Sequence, residues 1–344
     1  MKQEALCIID AADAFRELLS SKNVVLTTHV NPDGDAIGSE LGLYRLLRAH
    51  GVSVRIINAH PLPENLRFLD PDDIVEVWNS LQHDYTVLTP QLLVCLDLNE
   101  QSRMGAVSNA IGGDTRILVI DHHLEPRSFA HLYYIDPDAC STAELVFRLV
   151  TQSAYPLSYE IALPLYVGLL TDTGSFRFER TTPEVHRIAA TMLETGVDAM
   201  ETYRAVYNSY SIGRSRLLGL VLSGIEQYCE GRVTLLTVTA HMLEQTDCTI
   251  EDVENIVNYG LGIQGVEVTA LFTELNGAIK ISLRSRGCIS INRIANEFGG
   301  GGHRLAAGAR VLDTSLNELK PRVAAMLCEV VSRSGEASHT GIST

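Results

Sequence analysis

Apolar residues in the first half of the chain form short strand-like runs separated by stretches of helical periodicity. Asn23–Thr28 (NVVLTT) reads as a buried strand, and Ala36–His50 as a helix with Gly51 at its C-terminal end. Val52–Ile57, Leu92–Leu98 and Arg116–Ile120 are further strands. Ser141 and Glu144 stand at capping-box spacing at the start of a helix over Thr142–Thr151. Ile161–Leu170 is an apolar helix, in which Pro164 is tolerable only within the first turn. This alternation predicts an α/β fold whose main sheet is largely parallel and flanked by helices.

The pattern turns helical and polar over Pro183–Tyr210. It then changes to period-two strands at Arg232–Thr239, Val266–Thr273 and Ala278–Arg284, a short helix over Ile291–Phe298 and a closing helix over Leu316–Val331. The expected organisation is a catalytic domain over 1–190, a helical connector over 191–216, a smaller α/β domain over 217–332 and a disordered tail over 333–344. The opening MKQEALCIIDAADAF reads as an amphipathic helix, not a signal peptide, because acids come early and no cleavage site follows an apolar core.

With 344 residues the chain can bury two cores. No apolar run approaches the roughly 20 residues that a membrane helix needs, so no membrane contact is expected. A net charge of -15 without any Lys/Arg-rich run disfavours long nucleic acid; a polyanionic substrate would be short and held locally. Cysteines 7, 95, 140, 229, 248, 288 and 328 are scattered without a C-x-x-C pair, which predicts free thiols in a reducing cytoplasm.

Candidate chemistry lies where acids and histidines fall. His29, Asp33 and Asp35 follow the first strand in THVNPDGDAIGS, Asp97 ends LLVCLDL, and Asp121, His122 and His123 end RILVI. Asp172 ends a helix before Thr173 and Gly174. Ligands of an open α/β sheet bind at the carboxyl ends of its strands, so three of the four groups can share one cleft. Carboxylates with a minority of imidazoles suit hard divalent ions such as manganese or magnesium. Unmetallated, so many acids would repel; two ions about 3.5–4 Å apart would neutralise them for in-line attack on phosphorus. Taken singly the residues read blandly: Asp33-Gly34-Asp35 is a turn, a strand-end Asp is a helix cap, and Asp121 only orients a histidine.

These residues resemble the DHH phosphoesterase superfamily, in its order and spacing: H-x3-D-x-D (His29, Asp33, Asp35), Asp97 with Arg103 downstream, Asp121-His122-His123, and Asp172. The resemblance implies one metal on His29, Asp33 and Asp97, and a second on Asp35, Asp97, His122 and Asp172, with Asp97 bridging. It implies that His123 faces the substrate phosphate, with Asp121 behind the histidines and Arg103 as a phosphate contact.

In the second half, four glycines and a histidine (Gly299–His303) sit between a short helix and LAAGARV. Such a turn offers an anion-binding concavity, with His303, Arg304, Arg284 and Ser285 as further donors; the bland alternative is a flexible linker. RSRGCISINRIANEFGGGGHRLAAGA looks like a DHHA1 domain, which assigns substrate binding to Arg284, Ser285, Gly300, Gly301, Gly302 and His303. The pairing is similar to the bifunctional oligoribonuclease and pAp phosphatase (nanoRNase) family. RecJ-type exonucleases, family II pyrophosphatases and membrane-anchored cyclic-dinucleotide phosphodiesterases share the metal motifs but differ in their other domains.

The resulting expectation is a two-manganese phosphoesterase, with magnesium or cobalt as substitutes. It would cleave very short RNA to mononucleotides and 3'-phosphoadenosine 5'-phosphate (pAp) to AMP. A phosphodiesterase dedicated to linear or cyclic dinucleotides and a non-catalytic nucleotide sensor are the alternatives, and a homodimer is left open.

Overall fold

The computed structural model describes residues 6–78, 88–124, 126–207, 211–287, 289–302 and 304–339. The chain divides into two compact units, 1–209 and 210–344. The first unit opens with α1 (Ala11–Ser20), β1 (Asn23–Thr27), α2 (Gly34–Ala49), β2 (Ser53–Asn58), β3 (Val75–Val77) and β4 (Leu92–Leu96). It continues with α3 (Ala106–Ala110), β5 (Arg116–Asp121), β6 (Leu132–Ile135), α4 (Thr142–Gln152), α5 (Tyr159–Asp172), α6 (Pro183–Glu194) and α7 (Ala199–Tyr207).

All pairings in its six-stranded sheet are parallel, in the order β3-β2-β1-β4-β5-β6. The chain leaves β1 towards β2 on one side and returns to β4 on the other. The switch of direction therefore lies between β1 and β4, where such sheets open a crevice beyond the strand ends. Val24, Leu26, Val94, Leu96, Leu118 and Ile120 bury one sheet face against α2, α4 and α5. Val25, Leu93, Cys95 and Val119 bury the other with Met104 and Val107. Both faces are covered, so the strands are apolar throughout, as parallel strands require.

The second unit comprises α8 (Ile212–Ser223), β7 (Glu226–Tyr228), β8 (Val233–Val238), α9 (Ala240–Thr246), α10 (Val257–Leu261) and β9 (Val268–Leu275). Then follow β10 (Ala278–Ser285), α11 (Asn292–Glu297), β11 (Gly301–Gly302), β12 (Ala306–Leu312) and α12 (Leu316–His339). Its sheet runs β11-β12-β10-β9-β8-β7, with β8 and β9 parallel and the other pairs antiparallel. Among the described residues no helix is long and apolar enough to cross a membrane.

Several expectations change. The first helix starts only at Ala11, because Asp10 caps it by accepting from the Asp13 N–H at 2.8 Å; Ile8 instead bridges to Tyr133 in β-fashion. Pro164 is not in the first turn of its helix, which begins at Tyr159. Cys229 and Cys328, expected as solitary thiols, lie side by side in the fold, their Cα atoms 5.7 Å apart; 99 residues separate them, so spacing along the chain is blind to the pair. The closing helix runs to His339. The short strands β3 and β6 had no periodicity long enough to read.

Candidate metal centre

β1 delivers His29 two residues past its end, β4 delivers Asp97 directly, and β5 ends on Asp121 ahead of His122 and His123. Because β1, β4 and β5 are neighbours, these side chains emerge side by side at the switch point. Asp33 and Asp35 come from the start of α2, and Asp172 from the last position of α5. His29, Asp33 and Asp97 offer ligand atoms all within 4.8 Å of one another; so do Asp35, His122 and Asp172, and so do Asp97, His122 and His123.

His29 Nε2 lies 3.4 Å from Asp97 Oδ2 and 4.0 Å from Asp33 Oδ2. His122 Nε2 lies 3.4 Å from Asp172 Oδ2, 3.6 Å from Asp97 Oδ1 and 3.9 Å from Asp35 Oδ2. Each imidazole presents Nε2 to the carboxylates and turns Nδ1 towards a backbone carbonyl, Val30 at 2.9 Å for His29 and Ala139 at 3.3 Å for His122. This is how a ligating histidine is held in one tautomer. Asp33 has two jobs: Oδ1 caps α2, accepting from the N–H groups of Asp35 and Ala36 at 3.1 Å each, while Oδ2 faces His29.

His123 is built differently. Its Nδ1 is 2.6 Å from Asp121 Oδ1, and Arg103 approaches its Nε2 at 3.5 Å. Burial works against a charge on His123, but the hydrogen bond to Asp121 and the charges of Asp97 and Asp121 overcome it and raise its pKa to about 9. His123 can therefore carry a proton at neutral pH, whereas His122, whose pKa is lowered by burial, is neutral. Asp35 and Asp172 are pushed well above the usual carboxylate range, first by burial and then by the charge of Asp97. Asp97 itself is held low: burial raises it, but the His29 hydrogen bond and the charges of His123 and His29 outweigh that. Buried acids that hold one another protonated are what bound cations would displace protons from. The donor set, oxygen-rich with two imidazoles, fits hard divalent ions.

Sequence motifs missed the second layer. The first turn of α4, read as a helix cap, is one: Ser141 does cap α4, accepting from the Glu144 N–H at 3.1 Å, but the next two residues reach Asp35 and Asp97. Arg180, whose guanidinium lies 3.5 Å from both Ala139 O and His122 Nδ1, is another.

In the second unit the glycine run is a tight hairpin, not a flexible linker. Gly301 and Gly302 pair with Gly308 and Ala307 of β12. A Cβ on Gly300 would meet Gly308 O at 2.0 Å, and Gly302 has φ +138°. The N–H groups of Gly299 and Gly300 are not bare; they bond Asn296 O and Ala295 O at the end of α11. Arg284 faces Ala306 in the ladder, one step from the Ala307–Gly302 pair, so it shares that end of the sheet. It is half-buried, with Nη1 on Leu283 O at 2.9 Å, and the Ser285 hydroxyl donates to Ile289 O at 2.7 Å. His303 lies outside the described residues.

The DHH family, N-terminal domain, matches residues 23–169, and the DHHA1 domain matches residues 232–332. The bifunctional oligoribonuclease and PAP phosphatase NrnA of Thermus thermophilus is 38% identical over 91% of this chain and 91% of its own. The cyclic-di-AMP phosphodiesterase PdeA of Listeria monocytogenes is 27% identical over 91% of this chain but only 48% of its own. Among solved structures, an exopolyphosphatase-related protein from Bacteroides fragilis superposes with a TM-score of 0.86 at 33% identity, covering 93% of this chain and 95% of that one.

Proposed function

This chain belongs to the DHH family, with a DHHA1 domain in its second unit, and from that premise we propose that it hydrolyses very short oligoribonucleotides to mononucleotides and pAp to AMP. The reaction class, metal-dependent phosphoester hydrolysis, rests on one observation: acids and imidazoles from β1, β4, β5, α2 and α5 converge at the switch point, all but Asp33 and Asp172 buried, and the acids disfavour one another's charge without cations. His29, Asp33 and Asp97 would hold one ion and Asp35, Asp97, His122 and Asp172 the other, manganese in our reading, with magnesium or cobalt as substitutes. Such ions supply Lewis-acid polarisation of a phosphoryl oxygen and activation of water.

The chain's own groups do the rest. His123, steered by Asp121, would donate from Nε2 to a phosphate oxygen or to the departing oxygen, and Arg103 beside it adds a positive donor. Arg284, Ser285, Gly300, Gly301, Gly302 and His303 are the candidates for binding phosphate in the second unit. Identity to the Thermus protein along nearly both chains favours the pAp and short-RNA reading over a dedicated dinucleotide phosphodiesterase, which the partial match to PdeA keeps as second choice.

The test is turnover of pAp, a five-residue RNA, pGpG and a cyclic dinucleotide side by side, with manganese and after chelation. We expect pAp and RNA to be cleaved only with metal, and Asp97→Ala to lose activity by a factor of about a hundred or more. Preference for a dinucleotide with pAp untouched would replace the main reading with the second.

A further inference from the structure

Two acids of the cluster are gripped by groups that no motif singles out. The Thr142 N–H donates to Asp35 Oδ2 at 2.7 Å and the Ala143 N–H to Asp35 Oδ1 at 2.8 Å. Both oxygens of Asp35 are thus taken by the first turn of α4. The Thr142 hydroxyl reaches past them and donates to Asp97 Oδ1 at 3.0 Å. Thr142, Asp35 and Asp97 are all buried. Gly168 of α5 closes Asp35 from another side: a Cβ there would lie 2.9 Å from Asp35 Oδ1 and 2.5 Å from the Ala143 methyl.

Asp97 has particular need of a restraint. Its φ of +59° is a left-handed conformation that aspartate tolerates but does not prefer. Its carboxylate belongs to both ligand sets, so its direction governs the two together. In the bare protein it could swing towards the histidines that surround it. A hydroxyl donor on one oxygen limits that swing and still leaves lone pairs for cations.

We propose that Thr142 is a positioning residue of the metal centre: its hydroxyl aims the Asp97 carboxylate, while its amide and that of Ala143 hold Asp35 beside it at a set separation. The inference rests on the two-metal reading. The amide bonds belong to the backbone and survive substitution, so exchanging the hydroxyl for a methyl removes the Asp97 contact alone. Hydrogen-bond partners of metal ligands are worth about 10–100-fold in metal affinity or activity.

The experiment uses the full chain stripped of metal, as parent, Thr142→Val, Thr142→Ala and Thr142→Ser. Manganese binding is measured by calorimetry, with the melting temperature of each metal-free protein and kcat and KM on a short RNA. Thr142→Val and Thr142→Ala should bind manganese about tenfold or more weaker, and lose kcat with KM little changed. The metal-free melting temperatures should stay close to the parent's, and Thr142→Ser should restore most of the affinity. If Thr142→Val is poorly folded, the smaller Thr142→Ala carries the comparison. Manganese affinity in the alanine or valine variant equal to the parent's overturns the proposal, as does a serine variant as weak as valine. A parent that binds no manganese at all would instead sink the metal-centre reading and this inference with it.

Discussion

Glu40 is fully buried on α2, and only one of its oxygens has a partner among the described residues: Asn58 Nδ2 donates to Oε2 at 2.8 Å. The same Asn58 accepts from the Thr28 N–H at 3.2 Å, next to His29, so the acid helps to hold the strand end that carries a candidate ligand. Burial pushes the Glu40 pKa up to about 8, against the Asn58 hydrogen bond and the charge of His29, which lower it. In the unfolded chain the group titrates near its ordinary value of about 4.3. Between those two values the unfolded chain gives up the proton first, so the stability held at low pH drains away as pH rises, by at most about 1.4 kcal/mol per unit. Glu40→Gln cannot ionise. Its melting temperature relative to the parent should therefore climb between pH 5 and pH 8.5, and a gap that is the same at both ends would show that Glu40 does not titrate there. Asp33 carries a different lesson at this scale: the cap reading and the ligand reading are both right, one for each oxygen.

Helices α2 and α5 are the elements on which the site's geometry depends, since one starts with Asp33 and Asp35 and the other ends with Asp172. Gly34, Gly38 and Gly42 recur every fourth residue on α2, hence on one face. Added Cβ atoms there would meet Thr171 at 2.5 Å, Pro164 O at 2.3 Å and Leu165 at 2.5 Å. The backbones can come this close only because nothing projects from α2. Gly38→Ala has backbone, not a flexible side chain, to push against. We expect it to cost about 1–3 kcal/mol in urea unfolding and to raise the manganese concentration needed for half activity, because α5 moves with Asp172 at its end. Gly219→Ala in α8 meets nothing within 4 Å and should be neutral or stabilising by up to about 1 kcal/mol, since alanine is the better helix former. Should the two variants behave alike, the close approach of α2 and α5 is not what positions the acids.

At the scale of the whole molecule, the net charge of -15 weighs against long polyanions as substrates. A dinucleotide brings few phosphates to the acidic surface, whereas a long RNA lays many along it, with repulsion acting over about 10 Å at 0.1 M salt. Cleavage rates should fall steeply from dinucleotide to a 24-residue RNA, and the gap should narrow as salt is raised. Equal rates at low salt would mean that a local basic surface outweighs the total charge. The proximity of Cys229 and Cys328 shows the same separation of local from global information: each cysteine is solitary in the chain, and only the packing of α12 beside the β7–β8 turn brings them together.

The amino-acid sequence alone determined the alternation of strands and helices, the places where acids and histidines fall after strands, and hence the class of chemistry. Those properties are local: a strand's apolar run and the polar residue that ends it are neighbours along the chain. Only the tertiary structure decided that β1 and β4 lie side by side, that Asp35 rests on the amides of Thr142 and Ala143 more than 100 positions away, and that glycines let α2 touch α5. A hydrogen bond between distant residues leaves no spacing to read. A threonine that aims a carboxylate and a threonine that merely begins a helix are the same letter until the chain has folded.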